Sequence, residues 1–459
     1  HTRSVVAVGG VVATDPTAQT VQGMQTPEPS VANEPSSHIN SVSAPRQPMH
    51  DKTSAAATAR RGEGFIPPLY QDTLAVALLL TGPRLRLRTG AMSELTQAAL
   101  ESALAAVIDP TFGRPIGELG TLSKVTLSGT VGAAHVQLSS PAEEVKVTVK
   151  AAIDKAASAI GVTLVEVTFS VKVPTRDATS EDPLPGVKNV ILVMSGKGGV
   201  GKSTVATNLA LALRRMGTRV GLLDADLYGP SLPTMLGITG RPHSTDGKRI
   251  EPLQRFGLKL MSIGFLLDEP KQAVIWRGPM LHGALQQFVN DVDWGDLDYL
   301  VLDLPPGTGD VALTLAQKVK VTGAVIVTTP QEVALADVYK GVSLCQKVNI
   351  PILGVVENMS FFIDSAGVKQ EIFGSGGGEK VAEYAKAPLL GQIPIDSLVR
   401  EWGDKGTPVV QSAPESSAGQ AFAAVADALA TLIAKQHFDR TGKSTAPATE
   451  GRKRLKIMR

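Results

Sequence analysis

A glycine-rich stretch in the middle of the chain carries the residue types that bind a phosphate. Its pattern G-x-x-x-x-G-K-[ST] is filled by Gly196, Lys197, Gly198, Gly199, Val200, Gly201, Lys202 and Ser203, and Thr204 follows. Glycines allow successive backbone N–H groups to turn towards one anion, and a helix N-terminus adds its positive dipole end. We therefore predict that these residues bind a nucleotide. We expect Lys202 to reach its β- and γ-phosphates and the Ser203 hydroxyl to bind Mg²⁺.

The segments on either side of this stretch are those that a phosphate-binding loop requires. Residues 190–194 are β-branched or aliphatic, which is typical of a strand buried on both faces. Residues 205–216 repeat small and apolar side chains at helical spacing, and the pattern stops at Gly217, a natural helix C-cap. The same letters could form an ordinary glycine-rich turn, but the flanking strand and helix favour the phosphate-binding interpretation.

Further apolar runs alternate with helical segments over the rest of the chain. The runs that we interpret as strands are 220–223, 299–302, 324–328, 352–356 and 389–393. Such alternation predicts an α/β fold in which a mostly parallel sheet lies between two layers of helices, as in P-loop NTPases. A small α+β domain is predicted before it. Ligands of open parallel sheets bind at the carboxyl ends of the strands.

Carboxylates follow two of these strand-like runs. Asp224 and Asp226 lie in LLDADLYGPS, and Asp303 ends the run YLVLD before PPGTGD. Asp303 is placed like a Walker B aspartate, which holds Mg²⁺, usually through water. The N–H groups of Gly307 and Gly309 in PPGTGD could sense a γ-phosphate. For Asp224 and Asp226 a second interpretation stays open, in which they only cap the next helix.

Lys197 is a second lysine in the loop, and it narrows the class of ATPase. A lysine at this position cannot easily reach the phosphate of its own loop, but it could cross a dimer interface to the nucleotide of a partner chain. This feature resembles the deviant P-loop ATPases, which include MinD, ParA and Mrp proteins, and it implies that Lys197 is catalytic. The strings WRGPM, ALQQF, WGDLDYLVLDLPPGTGD and VVENMS, in a match over about residues 92–430, resemble the Mrp, or ApbC-like, iron–sulfur cluster carriers.

This resemblance implies roles for further residues and a function. Asp226 would orient or deprotonate the attacking water, and Asp224 would join Ser203 and Asp303 in the magnesium shell. Asn358 would contact the adenine, although a turn-forming asparagine is the alternative. The protein would then be a Mg²⁺-dependent ATPase, working as a homodimer that carries or assembles [4Fe-4S] clusters and delivers them to apoproteins.

The chain departs from this family at the cluster ligands. In Mrp carriers a C-x-x-C pair follows the ENMS motif, and two chains hold one [4Fe-4S] cluster with four thiolates. Here residues 364–367 read DSAG, and oxygen ligands are poor substitutes for thiolates. Cys345, the only cysteine, lies in a helical pattern and is interpreted as a core residue. We identify no iron–sulfur ligands, so a cluster rests on the resemblance alone.

Composition excludes several other classes of site. A chain with one cysteine forms neither an intramolecular disulfide nor an all-cysteine metal site. His135, His243 and His282 are far apart in the sequence, without metal-ligand spacing. The formal net charge is only +2, so charge gives no reason to expect nucleic acid as a partner. The apolar run 74–80 is far shorter than the roughly 20 residues of a membrane helix, and we expect no membrane span.

We divide the chain into five segments. These are a disordered or spuriously translated extension (1–91), the small domain (92–174), a linker (175–186), the ATPase domain (187–437) and a basic tail (438–459). We expect folding to begin near Met92 and the protein to be cytoplasmic, with an organelle transit peptide as the alternative reading of the extension. Two other functions stay open: a positioning ATPase like MinD or ParA, and an ATP-driven scaffold without a cluster.

Overall fold

The computed structural model describes residues 95–444, apart from gaps at 179–180, 227–228, 245–246, 268–277, 308–310, 312–313 and 316–317. The predictions for residues 1–91 and for the basic end of the tail therefore lie outside the described residues. The described residues form one compact unit, in which a small domain is followed by a large one.

The small domain is a three-stranded sheet with two helices packed on it. Its elements are α1 (Gln97–Ala105), β1 (Ile108–Asp109), β2 (Arg114–Pro115), β3 (Leu122–Ser128), β4 (Val131–Leu138), α2 (Glu143–Ala159) and β5 (Leu164–Val171). β3 and β4 are antiparallel, whereas β4 and β5 are parallel because α2 forms the crossover between them. The Thr96 hydroxyl caps α1 by accepting a hydrogen bond from the Ala99 amide at 3.2 Å. The apolar faces of the two helices bury Leu100, Leu104, Val149 and Ile153.

The large domain is built on an eight-stranded sheet. Its elements are β6 (Val190–Ser195), α3 (Lys202–Arg215), β7 (Val220–Asp224), α4 (Leu232–Met235), β8 (Leu253–Arg255), β9 (Leu258–Ser262), α5 (Gly278–Asn290), β10 (Tyr299–Asp303), β11 (Gly323–Thr328), α6 (Glu332–Lys347), β12 (Ile352–Glu357), β13 (Phe362–Ile363), β14 (Lys369–Gln370), α7 (Gly377–Ala385), β15 (Leu389–Gln392), α8 (Ser397–Asp404), α9 (Val409–Ser412) and α10 (Ser417–Thr441). The strand order is β15-β12-β11-β6-β10-β7-β9-β8, and only the β8–β9 pair is antiparallel. The predicted α/β fold with a mostly parallel sheet is confirmed.

β6 shows why this sheet needs a layer of helices on each face. All of its residues are buried. Ile191 and Val193 belong to the core shared with α3 and α10, whereas Val190, Leu192 and Met194 belong to the core shared with α5 and α6. Because each fully buried side chain of this kind stabilises the fold by roughly 1.5–3 kcal/mol, exposing either face would be very unfavourable. The apolar run that the sequence shows is the direct consequence.

Two short antiparallel pairs of strands carry no clear signal in the sequence. β8 and β9 extend the sheet at one edge, and β13 and β14 form a small hairpin after β12. β8 has the sequence LQR and both residues of β14 are polar, so neither shows an apolar run. The hairpin contains residues 364–367, the place where the family resemblance leads one to expect cysteines.

The predicted linker, 175–186, is fastened to the large domain by a buried ion pair. Arg176 and Asp182 pair with each other, and both side chains are almost fully buried. The Arg176 guanidinium also donates to the carbonyls of Leu184 at 2.7 Å and Lys320 at 3.0 Å. Neighbouring Arg176 holds the pKa of the Asp182 carboxyl below its usual value, in spite of the opposite effect of burial. The segment is therefore a packed part of the large domain's surface.

α10 connects the two domains and runs to Thr441, beyond the predicted domain end at residue 437. Phe422 on one side of it is fully buried in the large domain. On another side the Thr431 hydroxyl lies 3.1 Å from that of Ser140 in the small domain. By length and composition α10 is also the one helix among the described residues that could cross a membrane, but half of its apolar window is buried, as in the core helix of a globular domain.

Candidate nucleotide site at the carboxyl end of the sheet

The loop after β6 has a backbone that only glycine accommodates at several positions. Gly199 and Gly201 have φ angles of +83° and +80°, which L-residues with side chains rarely adopt. At Gly196 an added Cβ would lie 2.3 Å from the backbone nitrogen of Val338 in α6. At Gly201 it would lie 2.2 Å from the side-chain nitrogen of Asn358. The loop is thus shaped by close neighbours as well as by its own turns, and it opens directly into α3.

Lys202, the first residue of α3, lies between two carboxylates that come from other strands. Its Nζ is 2.6 Å from Asp303 Oδ1 at the end of β10 and 3.7 Å from Asp226 Oδ2 after β7. It also donates to the Ser203 hydroxyl at 3.3 Å. Only 6% of the Lys202 side chain is exposed, so the charge is compensated by these groups rather than by water. The structure brings together residues of the three motifs that the sequence predicts to be functional.

Asp303 keeps one carboxylate oxygen available. Its side chain is fully buried, yet Oδ2 has no hydrogen-bond partner among the described residues. Burial raises the pKa of Asp303, and the Lys202 ammonium opposes that rise. A buried carboxylate oxygen without a partner is unfavourable unless another group approaches it. Together with the nearby Ser203 hydroxyl it forms a set of hard oxygen donors, which fits Mg²⁺.

Asp224 is fixed by the loop that follows β7. Its Oδ1 accepts from the Asp226 amide at 3.0 Å, and its Oδ2 accepts from the Ser231 amide and the Ser262 hydroxyl, both at 3.1 Å. Burial, and next the charge of Asp303, raise the pKa of Asp224 to about 7, against the effect of nearby donors. Asp224 therefore does what the capping interpretation describes, and it holds the backbone that carries Asp226. Its part in a magnesium shell stays a prediction.

Lys197 and Gly307 both contact Ser195, the last residue of β6. The Lys197 carbonyl accepts from the Ser195 hydroxyl at 3.0 Å, whereas its half-buried side chain forms no ion pair with any described residue. The Gly307 amide donates to the Ser195 carbonyl at 3.0 Å, so in this structure it is bonded to the end of β6. Gly309, the other predicted sensor, lies outside the described residues.

Asn358 lies at the carboxyl end of β12 and faces the loop from the other side. Its Nδ2 donates to the Val200 carbonyl at 2.9 Å, and its backbone amide donates to the Thr328 carbonyl at 2.8 Å. It is almost fully buried and braces the loop, which is more than the turn-forming role requires. The predicted contact with adenine stays a prediction. The neighbouring Glu357, a buried carboxylate in the same motif, is a residue to which the sequence pattern assigns no role.

The segment that replaces the C-x-x-C pair forms a self-contained turn. Asp364 Oδ1 accepts from the amides of Ala366 and Val368, both at 2.9 Å, and Oδ2 accepts from the Gln370 side chain at 2.8 Å. These bonds lower the pKa of the Asp364 carboxyl, the Val368 amide having the largest effect. Asp364 thus stabilises the β13–β14 hairpin. In the described part of the chain, no group of three or more His, Cys, Asp or Glu side chains is arranged to hold a metal ion.

Cys345 is a core residue, as the sequence predicts. It is fully buried in α6, with its Sγ 3.6 Å from the sulfur of Met194. Burial raises the pKa of the thiol to about 11, so the thiolate that binds iron is disfavoured. The described histidine side chains do not form a cluster with one another either. His135, for example, bonds the hydroxyls of Thr168 and Ser170 in the small domain. The side chain of His282 lies outside the described residues.

Comparisons with known proteins match both domains. Residues 186–430 match the family model described as NUBPL iron-transfer P-loop NTPase, and residues 97–169 match that of iron–sulfur cluster assembly proteins. An iron–sulfur cluster carrier protein from Synechocystis is 45% identical, with 74% of this chain and 98% of that protein covered. One from Deinococcus radiodurans is 48% identical, with 73% and 95% covered. A solved nucleotide-binding protein in complex with ADP from Archaeoglobus fulgidus is 42% identical, with a TM-score of 0.44, 50% of this chain and 91% of that chain covered.

Proposed function

Because the chain belongs to the NUBPL iron-transfer P-loop NTPase family, we propose that it hydrolyses ATP with Mg²⁺ and carries or assembles iron–sulfur clusters for apoproteins. The observation that carries the ATPase part is the buried Lys202 between Asp226 and Asp303 at the mouth of a glycine loop. Relatives named iron–sulfur cluster carrier protein, and the match of the small domain to cluster assembly proteins, support the cargo. The protein would work in the cytoplasm as a homodimer.

Nucleotide binding would separate the Lys202–Asp303 pair. The ammonium turns from the carboxylate to the β- and γ-phosphates, which compete well for it because they carry more charge. The backbone amides of residues 196–204 hold the remaining phosphate oxygens. Mg²⁺ would be held by the Ser203 hydroxyl and Asp303, and when bound it neutralises part of the phosphate charge. Lys202 and Asp303, which contact each other in this structure, would then act on the nucleotide separately: Lys202 would bind its phosphates, and Asp303 would bind its Mg²⁺.

Asp226 is placed to act on the attacking water. It lies on the loop fixed by Asp224, and its Oδ2 is within 3.7 Å of the ammonium that would hold the γ-phosphate. A carboxylate at that place orients a water for in-line attack. In a homodimer, Lys197 of the partner subunit would add a positive charge next to the transferred phosphate, where negative charge is redistributed during the reaction. Such a role in a partner's site would explain why the Lys197 side chain forms no ion pair with any described residue.

A second candidate function is an ATP-driven scaffold that carries no cluster of its own. It is favoured by the turn at 364–367, where the donors are an aspartate and a serine, and by the full burial of Cys345. Soft iron sites are built from thiolates, which this segment lacks. In that case the protein would still bind apoproteins or cluster-bearing partners and use ATP to control the contact.

Two measurements on the purified full chain test the proposal. Equilibrium titration with ATP, with Mg²⁺ and with EDTA, should give binding and Mg²⁺-dependent release of phosphate. Absence of ATP binding would overturn the whole proposal. Anaerobic reconstitution with iron and sulfide then distinguishes the two candidate functions, because a visible spectrum and about four irons for each pair of chains would support the carrier. Active ATPase without bound iron would leave the scaffold as the function.

A further inference from the structure

One buried carboxylate closes the segment that follows β12. The Ser360 hydroxyl donates to Glu357 Oε1 at 2.5 Å, and the Gly378 amide, in the first turn of α7, donates to Oε2. Residues 361–377, which we call the apolar segment, lie between these two donors and include the hairpin β13–β14. The two ends of this segment are therefore held by a single side chain.

Close neighbours enclose the Glu357 side chain on several sides. Its side chain is fully buried, and Oε1 also accepts from the Gln392 side chain at 2.8 Å, at the end of β15. A Cβ added at Gly378 would lie 2.8 Å from the Cβ of Glu357. All three donors are neutral, and no ion pair compensates the charge among the described residues. Burial of a carboxylate is unfavourable, so this arrangement depends on every donor staying in place.

The adjacent residue links the same point to the nucleotide loop. Asn358 donates to the Val200 carbonyl, and its side-chain nitrogen would collide with any Cβ at Gly201. Glu357 and Asn358 are consecutive residues at the end of β12. Glu357 holds the two ends of the apolar segment, and Asn358 contacts the nucleotide loop. The loop and the ends of the apolar segment are therefore connected through a single peptide unit.

Five large apolar side chains of the apolar segment are exposed at 37–56% of their area, although water disfavours such exposure. They are Phe362, Ile363, Val368, Ile372 and Phe373. Because the two ends of the segment are bonded to Glu357, a small change at Glu357 can alter how far these apolar side chains are exposed.

We propose that Glu357 is a positioning residue that couples nucleotide binding at the loop to the arrangement of the apolar segment. It contacts neither nucleotide nor cargo and acts through Asn358 and through the two ends of the segment. The inference rests on the proposed nucleotide site, because the coupling needs a nucleotide in the loop. It goes further in assigning a role to a residue outside the phosphate-binding motifs.

Hydrogen exchange of the segment measures this coupling. In the wild-type full chain, Mg²⁺-ATP should change the exchange of peptides from residues 361–377 at least about threefold. Glu357→Ala should still bind ATP, roughly tenfold more weakly, and the nucleotide-dependent change should disappear. Glu357→Gln keeps an acceptor of the same size and should restore at least half of the change. Glu357→Met fills similar space without accepting these hydrogen bonds, so it should leave the change absent, whereas it would restore the change if the residue only filled space.

The control is Asp109→Ala, which removes a buried carboxylate of the small domain that accepts from the Thr111 amide at 2.8 Å. This variant should lose stability and keep the nucleotide-dependent exchange. If Glu357→Ala does not fold, Ser360→Ala removes one end of the closure and should weaken the coupling. Wild-type protein that binds ATP without any change in the segment, or a Glu357→Ala variant with unchanged coupling, overturns the inference alone. Wild-type protein that binds no ATP overturns the proposed function with it.

Discussion

The nucleotide loop and the apolar segment are neighbours at the carboxyl end of one sheet, but they are built in opposite ways. In the loop the working charges are buried and shared between strands, as Lys202 and Asp303 show at 2.6 Å. In the turn of the apolar segment, at residues 364–367, the polar contacts are local and exposed, and they centre on Asp364. Changing a shared buried charge disturbs three motifs at once, whereas changing the turn disturbs only itself. We therefore expect the nucleotide site to tolerate little variation and the turn at residues 364–367 to tolerate more.

Lys202→Ala gives the largest effect that this comparison predicts. It removes the phosphate contact, and it leaves the buried carboxylate of Asp303 without its cation. We expect ATP affinity to fall by more than about 100-fold, because a charge-assisted phosphate contact of several kcal/mol is lost. The free energy of unfolding should fall by up to about 3–5 kcal/mol. Titration calorimetry and denaturant unfolding measure the two effects.

The double variant Lys202→Ala with Asp303→Asn separates these two effects. It removes the unpaired buried charge, so stability should return while ATP binding stays lost. Lys405→Ala is the matched control, because that lysine forms an exposed ion pair with Glu401 on α8. Normal ATP affinity in Lys202→Ala would contradict the assignment of the loop.

Asp226→Asn should uncouple binding from hydrolysis. The side chain keeps its size but loses the charge that orients the water, and general-base catalysis contributes typically about 10²–10⁴-fold. We expect ATP binding within a few-fold of wild type, a hydrolysis rate lower by about 100-fold, and a dimer trapped with ATP in size-exclusion chromatography. An unchanged turnover rate would remove Asp226 from the mechanism.

Lys197→Ala should spare ATP binding and reduce hydrolysis by at least about tenfold, since a cation next to the transferred phosphate acts only on the reaction. The trans role can be tested by mixing. In a heterodimer of Lys197→Ala and Lys202→Ala chains, the intact loop of the first receives the intact Lys197 of the partner subunit. Activity should therefore reappear in the mixture. If the mixture stays inactive, or if Lys197→Ala loses binding as Lys202→Ala does, the lysine belongs to its own loop.

The contrast between contiguous motifs and contacts between distant residues also explains which features could be predicted from the sequence. The loop, β6 and α3 are contiguous, and their apolar period and glycine spacing are local properties, so the sequence predicts them correctly. The role of Asp224 as a cap depends on Ser231 and Ser262, which follow it by 7 and 38 positions. The role of Glu357 depends on Gly378 and Gln392, 21 and 35 positions further on. Contacts of this kind leave no periodic signal, and the polar hairpin β13–β14 is too short to give one.

The double variant Asp364→Cys with Gly367→Cys should have the smallest effect on stability and the most informative effect on cargo. It supplies the two thiols that the family resemblance places in this turn. Gly367 has a φ of +78° with open space around its Cβ position, so a side chain there costs about 1 kcal/mol of backbone strain and meets no obstacle. We expect unchanged ATP hydrolysis. After anaerobic reconstitution we expect more iron per chain than in the wild type, because two chains would then offer four thiolates.

The matched control for this gain is Asp364→Ser with Gly367→Ser, which makes the same backbone change with oxygen instead of sulfur. Both variants lose the Asp364 contacts to Ala366 and Val368 and gain the same strain at residue 367. A difference in bound iron between them therefore reports the ligand atom alone. Equal iron in both variants would mean that the turn cannot bring its thiols together. In that case the two regions would differ in backbone geometry as well as in ligand chemistry, and the scaffold function would be favoured.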